Sequence, residues 1–138
     1  MMKKKKNNKG FSLVELIVVI AIMAVLVGVL APQFIGYVAK SKVSTDLQNA
    51  DSLKSAVEIA IAEADSTSTA TVTVSGTGKT ITVAGTGLTF AVSSVSLKAT
   101  WSDGTYTYSA STGWATGAND STTTDVTPNH KFSEVFTN

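Results

Sequence analysis

The sequence predicts an α+β chain: a long N-terminal helical spine, kinked near Pro32, with a small antiparallel β-sheet packed on its C-terminal half. Three observations predict it. Residues 11–31 are apolar except Ser12, Glu15 and Gly28. An apolar stripe at helical spacing continues to Ala64. Beyond Asp65 the helical period gives way to alternation, and 30 of the last 73 residues are Ser or Thr.

The first element is residues 11–31. Twenty-one residues make about 31 Å of helix, enough to cross the hydrocarbon core of a bilayer. Residues 1–10 precede it as a basic leader with Lys3, Lys4, Lys5, Lys6 and Lys9. Only Lys40 and Lys42 follow closely, so lysine bias keeps the N-terminus in the cytoplasm and sends the rest across. Glu15 is costly in this setting, at roughly 2.5–3.5 kcal/mol near the middle of an inserted helix and less toward its end.

Residues 32–64 form the second part of the spine. Pro32 removes one backbone hydrogen bond and clashes with the carbonyl of Gly28. Gly28, Pro32 and Gly36 together make a soft point where a continuing helix can kink. The plainer alternative is that Pro32 ends a membrane helix. The pattern resumes, however: Val43, Leu47, Ala50, Leu53, Val57, Ile61 and Ala64 fall three or four apart. Lys40, Lys42, Asp46, Asp51, Lys54, Glu58 and Glu63 are expected mostly on the other face. Lys54 and Glu58 stand four apart and can pair.

Residues 65–138 form a Ser/Thr-rich sheet. The expected strands are residues 71–74, 80–83, 88–92, 95–99 and 105–108, four or five in sequence. Gly76, Gly78, Gly85, Gly87, Gly104 and Gly113 mark the turns between them. Trp101, Tyr106, Tyr108 and Trp114 are expected to supply the core of so small a sheet. Residues 117–129 read as an irregular surface loop. Phe132, Val135 and Phe136 are placed to pin the C-terminus to sheet or helix.

Charge and composition exclude several function classes. Residues 11–138 hold six Lys against ten acids, and the chain has no Arg, which argues against a nucleic-acid partner. Cysteine is absent, which removes disulfides, thiol chemistry and most zinc sites. No catalytic residue, metal site or cofactor is expected, and the chain reads as no enzyme. His130 is the sole histidine, without a Ser-His-Asp ordering. Asn119, Asp120 and Asp125 lack a calcium-loop spacing and read as solvated.

The junction Lys9-Gly10-Phe11-Ser12-Leu13-Val14-Glu15 resembles the type III signal sequence of type IV prepilins, and the likeness runs through the apolar block to Pro32. It covers residues 1–64 closely and the remainder in architecture alone. The resemblance implies that a prepilin peptidase cuts between Gly10 and Phe11 and N-methylates Phe11. It also implies that residues 11–31 become the core of a helical filament built from copies of the chain, with help from pilus assembly machinery. The chain would be a single-pass protein of the cytoplasmic membrane before assembly and an extracellular pilus subunit after it. Roles in adhesion, twitching motility or biofilms come with the family.

Physical chemistry fits those residues to those roles. Gly10 leaves the backbone open to a protease. Cleavage would create an ammonium at Phe11, four residues from Glu15 on one helical face. That amine could come from the same chain or from a neighbour; the family implies the neighbour. Ser12-Leu13-Val14-Glu15 also fits a capping box, in which Glu15 would bond a free backbone N–H. An ordinary signal peptide would cut after Val29-Leu30-Ala31, leaving Pro32 directly beyond the cut. A pseudopilin of a secretion or DNA-uptake machine and a non-polymerising, membrane-anchored adhesin are the rival functions. The missing cysteine departs from the many disulfide-stapled pilins and favours a Gram-positive-type pilin or a pseudopilin.

Overall fold

The computed structural model describes residues 10–137. The leader lysines Lys3 to Lys9 lie outside the described residues. Two compact units divide the chain, one ending at Ile35 and one beginning at Gly36. A single helix, α1 (Leu13–Glu63, 51 residues), contributes to both.

In the first unit α1 begins at the expected place. The Leu16 amide donates to the Ser12 carbonyl at 3.2 Å, closing the first turn. Every residue of this unit from Gly10 on is exposed. The helix here is long and apolar enough to cross a membrane by length and composition. Pro32 lies inside the helix, which stays helical on both sides of it. A plain helix end at Pro32 is therefore ruled out.

The second unit packs the rest of α1 on one face of a five-stranded antiparallel sheet. The strands are β1 (Thr69–Ser75), β2 (Thr80–Ala84), β3 (Ser94–Ser96), β4 (Gly104–Ser109) and β5 (Gly113–Thr116). Their spatial order is β3-β2-β1-β4-β5. Chain order and spatial order part company after β3, because β1 has two edges and β2 takes one of them. β4 pairs with the other, so residues 97–103 cross from one side of the sheet to the other.

Register puts one set of alternate residues inward. Val72 lies opposite both Val83 and Tyr106, and Val74 opposite both Ile81 and Gly104. Those side chains meet Val43, Ala50, Leu53, Val57 and Ile61 of α1 in one core. Burying a side chain of that kind stabilises by about 1.5–3 kcal/mol. Gly104 is confined: a Cβ there would come within 2.7 Å of Ser121. Trp101, Tyr106 and Trp114 are buried and Tyr108 half-buried, as their place in the core requires.

Several expectations need correction. Residues 88–92 are not a strand. Alternation alone does not make one; a strand needs a free edge to pair with. The open edge of β2 is taken by Ser94–Ser96, with Ile81 opposite Val95. Residues 85–93 are left as the connection, turning at Gly87 with φ of 75°. The strand expected over 95–99 stops at Ser96: the Leu97 amide still donates to the Lys79 carbonyl, but the Lys98 and Ala99 amides turn to the helix side chain of Asp46. A fifth strand, Gly113–Thr116, follows a tight turn in which the Thr112 amide donates to Ser109 Oγ at 3.2 Å. Residues 117–129 are not simply a surface loop, for Ser121, Thr123 and Val126 are buried. The Ser102 amide donates to the Thr122 carbonyl, and the Thr123 amide to that of His130.

Candidate functional site

The expected site residues lie together at the start of the described chain. Gly10 and Phe11 precede the helix, and Phe11 is 93% exposed. A Cβ at Gly10 would meet nothing within 4 Å. Among the described residues, nothing crowds the junction. Gly28 and Gly36 are equally unobstructed.

Glu15 is on the first turn of α1. Its Oε2 accepts the Ser12 backbone N–H at 2.9 Å. This is the capping contact, formed in the uncut chain. It satisfies one of the orphan donors at the helix start and sets a negative charge against the positive end of the helix dipole.

The second unit contains polar nodes that sequence reasoning missed. Asp46 was expected on the solvent face; it is fully buried. Its Oδ1 accepts the Lys98 amide at 2.8 Å, and its Oδ2 accepts the Ala99 amide at 2.8 Å and Trp101 Nε1 at 2.9 Å. The carboxylate thereby holds the crossing segment 97–103 onto the helix. The signal was available: Asp46 falls three residues after Val43 and four before Ala50, within the apolar stripe. Glu58 repeats the theme by accepting Trp114 Nε1 at 2.8 Å. It also stands 4.0 Å from Lys54, the expected pair. Lys54 Nζ donates to the Thr137 carbonyl at 2.8 Å.

A further node closes the C-terminal segment. Tyr106 Oη donates to Asp120 Oδ1 at 2.7 Å and accepts the Ser121 amide at 2.8 Å. Ser133 Oγ donates to Asp120 Oδ2 at 2.6 Å. Burial and the Asp120 hydrogen bond push the Tyr106 phenol well above its ordinary value. Burial alone would raise Asp120, but the hydrogen bonds from Ser133 and Tyr106, with nearby Lys131, hold it below the usual carboxylate range. Glu134 is also lowered, chiefly by the hydrogen bond with His130 at 3.0 Å, against a smaller effect of burial. Asp125 is engaged separately, accepting the Thr100 amide at 2.7 Å. Among the described residues no three His, Cys, Asp or Glu side chains gather to hold a metal ion. These nodes tie the sheet, the helix and the C-terminal segment together.

Comparison with known proteins finds similarity at that junction. The prokaryotic N-terminal methylation motif is matched over residues 5–31. Curated relatives match part of the chain as well. It is 35% identical over 57 residues to the type IV major fimbrial protein FimA of Dichelobacter nodosus, covering 41% of this chain and 36% of the relative. It is 39% identical over 56 residues to a fimbrial protein of Pseudomonas aeruginosa, with the same coverage. It is 41% identical over 58 residues to prepilin peptidase-dependent protein A of Clostridium perfringens, covering 41% of each. The chain thus spans well under half the length of the curated relatives it matches. No solved structure matches it at a significant level.

Proposed function

We propose that this chain is the precursor of a structural subunit of a type IV pilus. Prepilin peptidase cuts between Gly10 and Phe11 and methylates the new terminus at Phe11. The mature chain then leaves the membrane for a filament of its own copies. The observation that carries this reading is the methylation motif over residues 5–31, joined to a helix whose apolar side chains are exposed on every side up to Val38. Such a surface is long and apolar enough for a membrane. The same surface, stacked against copies of itself, would make the core of a polymer.

Glu15 then serves two stages. In the precursor it bonds the Ser12 amide. After cleavage it faces an ammonium at Phe11, its own or that of a neighbour. A charge that is costly in lipid and neutralised by an incoming subunit favours addition over remaining dispersed. Gly28, Pro32 and Gly36 supply the local softness for leaving the bilayer. The role is architectural rather than enzymatic, and the absence of cysteine suits a Gram-positive-type pilin.

N-terminal mass spectrometry of surface-exposed material tests the proposal. A chain starting at methylated Phe11 supports it. A chain starting at Met1 identifies an unprocessed anchor and rejects it, and a start at Pro32 identifies a secretory signal peptide and rejects it as well.

A further inference from the structure

The sheet has a second face. On β1 to β5 the residues that alternate with the core positions point away from α1, and all of them are exposed or half-buried. Register sets them in rows across the strands. Ser94, Thr82, Thr73 and Thr105 form one row, and Ala84, Thr71, Thr107 and Ala115 form the next. Every outward position is Thr, Ser, Ala or Gly. None is charged, although 15% of the chain is charged and water-facing surfaces ordinarily hold a larger share. Among the described residues Ser75 Oγ accepts the Gly78 amide at 3.0 Å and Ser109 Oγ accepts the Thr112 amide at 3.2 Å. The hydroxyls of Thr71, Thr73, Thr82, Thr105 and Thr107 have no hydrogen-bond partner among the described residues.

The makeup of this face selects its occupant. It offers no cation to a phosphate of nucleic acid or lipid. It has no ring to stack on a base and no long apolar side chain to enter a bilayer. A hydroxyl both donates and accepts. A face of hydroxyls is therefore complementary to a copy of itself, which a face of carboxylates or of ammoniums is not. Its short side chains lose little freedom on contact. Area points the same way. β1 has seven residues, about 24 Å of strand, and five strands lie about 19 Å across. The face thus offers at most about 450 Å², and two faces about 900 Å², above most incidental contacts and below a permanent dimer.

We propose that the outer face of the sheet docks on the same face of a second copy of this chain, as two aligned sheets in a weak two-fold pair. β1 is the middle strand. A two-fold axis in the interface, along β1 or across it, therefore lays β1 on β1 of the second copy. Such a pair is closed by its symmetry and admits no third copy, whereas a helical filament needs head-to-tail contacts. The pairing goes beyond the proposed function and does not depend on it. Between filaments it would join one fibre to another.

Cross-linking of the full chain in detergent tests the pairing. The chain has no cysteine, so Thr73→Cys on β1 and, separately, Ser52→Cys on the exposed side of α1 each supply a single thiol for a short bis-maleimide. Dimer capture at Thr73 is expected to run at least about fivefold faster than at Ser52, a margin suited to a weak pair. Thr82→Glu with Thr105→Glu, which flank Thr73 on its row, should bring the Thr73 rate down to that of Ser52, because like charges then meet. An equal mixture with chains carrying Thr82→Lys and Thr105→Lys should restore it, which a misfolded sheet would not do. Equal capture at Thr73 and Ser52 reports chains sharing a micelle and overturns the proposal. Capture that survives the glutamates, or a mixture that fails to restore it, overturns it too. Retention on immobilised dextran in place of dimer capture, blocked by the glutamates, would assign the face to a neutral glycan and overturn the self-pairing.

Discussion

Replacing Asp46 by Ala should unfold the second unit more readily than any surface change. The substitution deletes the acceptor for three N–H groups, those of Lys98, Ala99 and the Trp101 indole, at 2.8–2.9 Å. Each buried donor left unmet costs about 1–3 kcal/mol, and the segment can shift to recover part of that with water. The expected loss is about 3–5 kcal/mol, comparable to removing one partner of a buried charged interaction. For a unit of this size each kcal/mol moves the melting temperature by about 4–8 °C, so the midpoint should fall by at least about 12 °C. Asp46→Asn keeps one acceptor oxygen but turns an amide NH2 toward a donor, and should lose about 1–3 kcal/mol. The assay is thermal and urea unfolding of the full chain in detergent, followed by tryptophan fluorescence and near-ultraviolet circular dichroism. Trp101 makes the readout local, since its indole should report the lost bond in the folded variant. A loss below about 1 kcal/mol for Asp46→Ala would refute the claim that this carboxylate clamps the crossing segment.

Three further outcomes follow from the geometry. Glu15→Gln can still accept the Ser12 amide but cannot neutralise an ammonium; fibre yield should fall sharply while processing continues, and wild-type yield would remove the charge argument. Gly10→Val meets no steric obstacle in the folded chain, so the protein should accumulate uncut, with an intact leader by mass spectrometry. Tyr106, raised above its unfolded value of 10.0, contributes stability that is present below pH 10 and lost as pH rises beyond it. Asp120 and Glu134 are lowered, so their contributions are present above the unfolded values of 3.8 and 4.5 and fade as acid protonates them. Stability–pH profiles should show both slopes, and Tyr106→Phe should erase the alkaline one while costing about 1–3 kcal/mol at neutral pH.

The helix was legible because its signals are local. Residues 13–63 carry an unbroken apolar or amphipathic period, and the turn glycines Gly87 and Gly113 announce backbone that other residues avoid. The strand misread over 88–92 shows where local signals stop. Its alternation is as good as that of Ser94–Ser96, but only one segment can occupy the edge of β2. Pairing is a property of the sheet, and one strand's pattern does not contain it. Asp46 was misread for a different reason: its charge outweighed its position in the stripe. A carboxylate is tolerated inside when backbone and indole donors converge on it, and those donors sit more than 50 residues away in sequence. The junction was legible in full at the level of motif, yet the contact Glu15 makes in the uncut chain was visible only as one of two options.

Asp120 joins two stretches of chain by hydrogen bonds alone, in a chain without cysteine. Its bonds to Tyr106 and Ser133 close the C-terminal segment on the sheet without any oxidation step. A covalent staple forms only where electrons can be removed, and it fails under reductant. A carboxylate staple closes as soon as the segments meet, on either side of a membrane and in air or without it. Its weakness is acid. A unit fastened in this way owes nothing to the thiol chemistry of its surroundings and can be built under reducing conditions as readily as under oxidising ones.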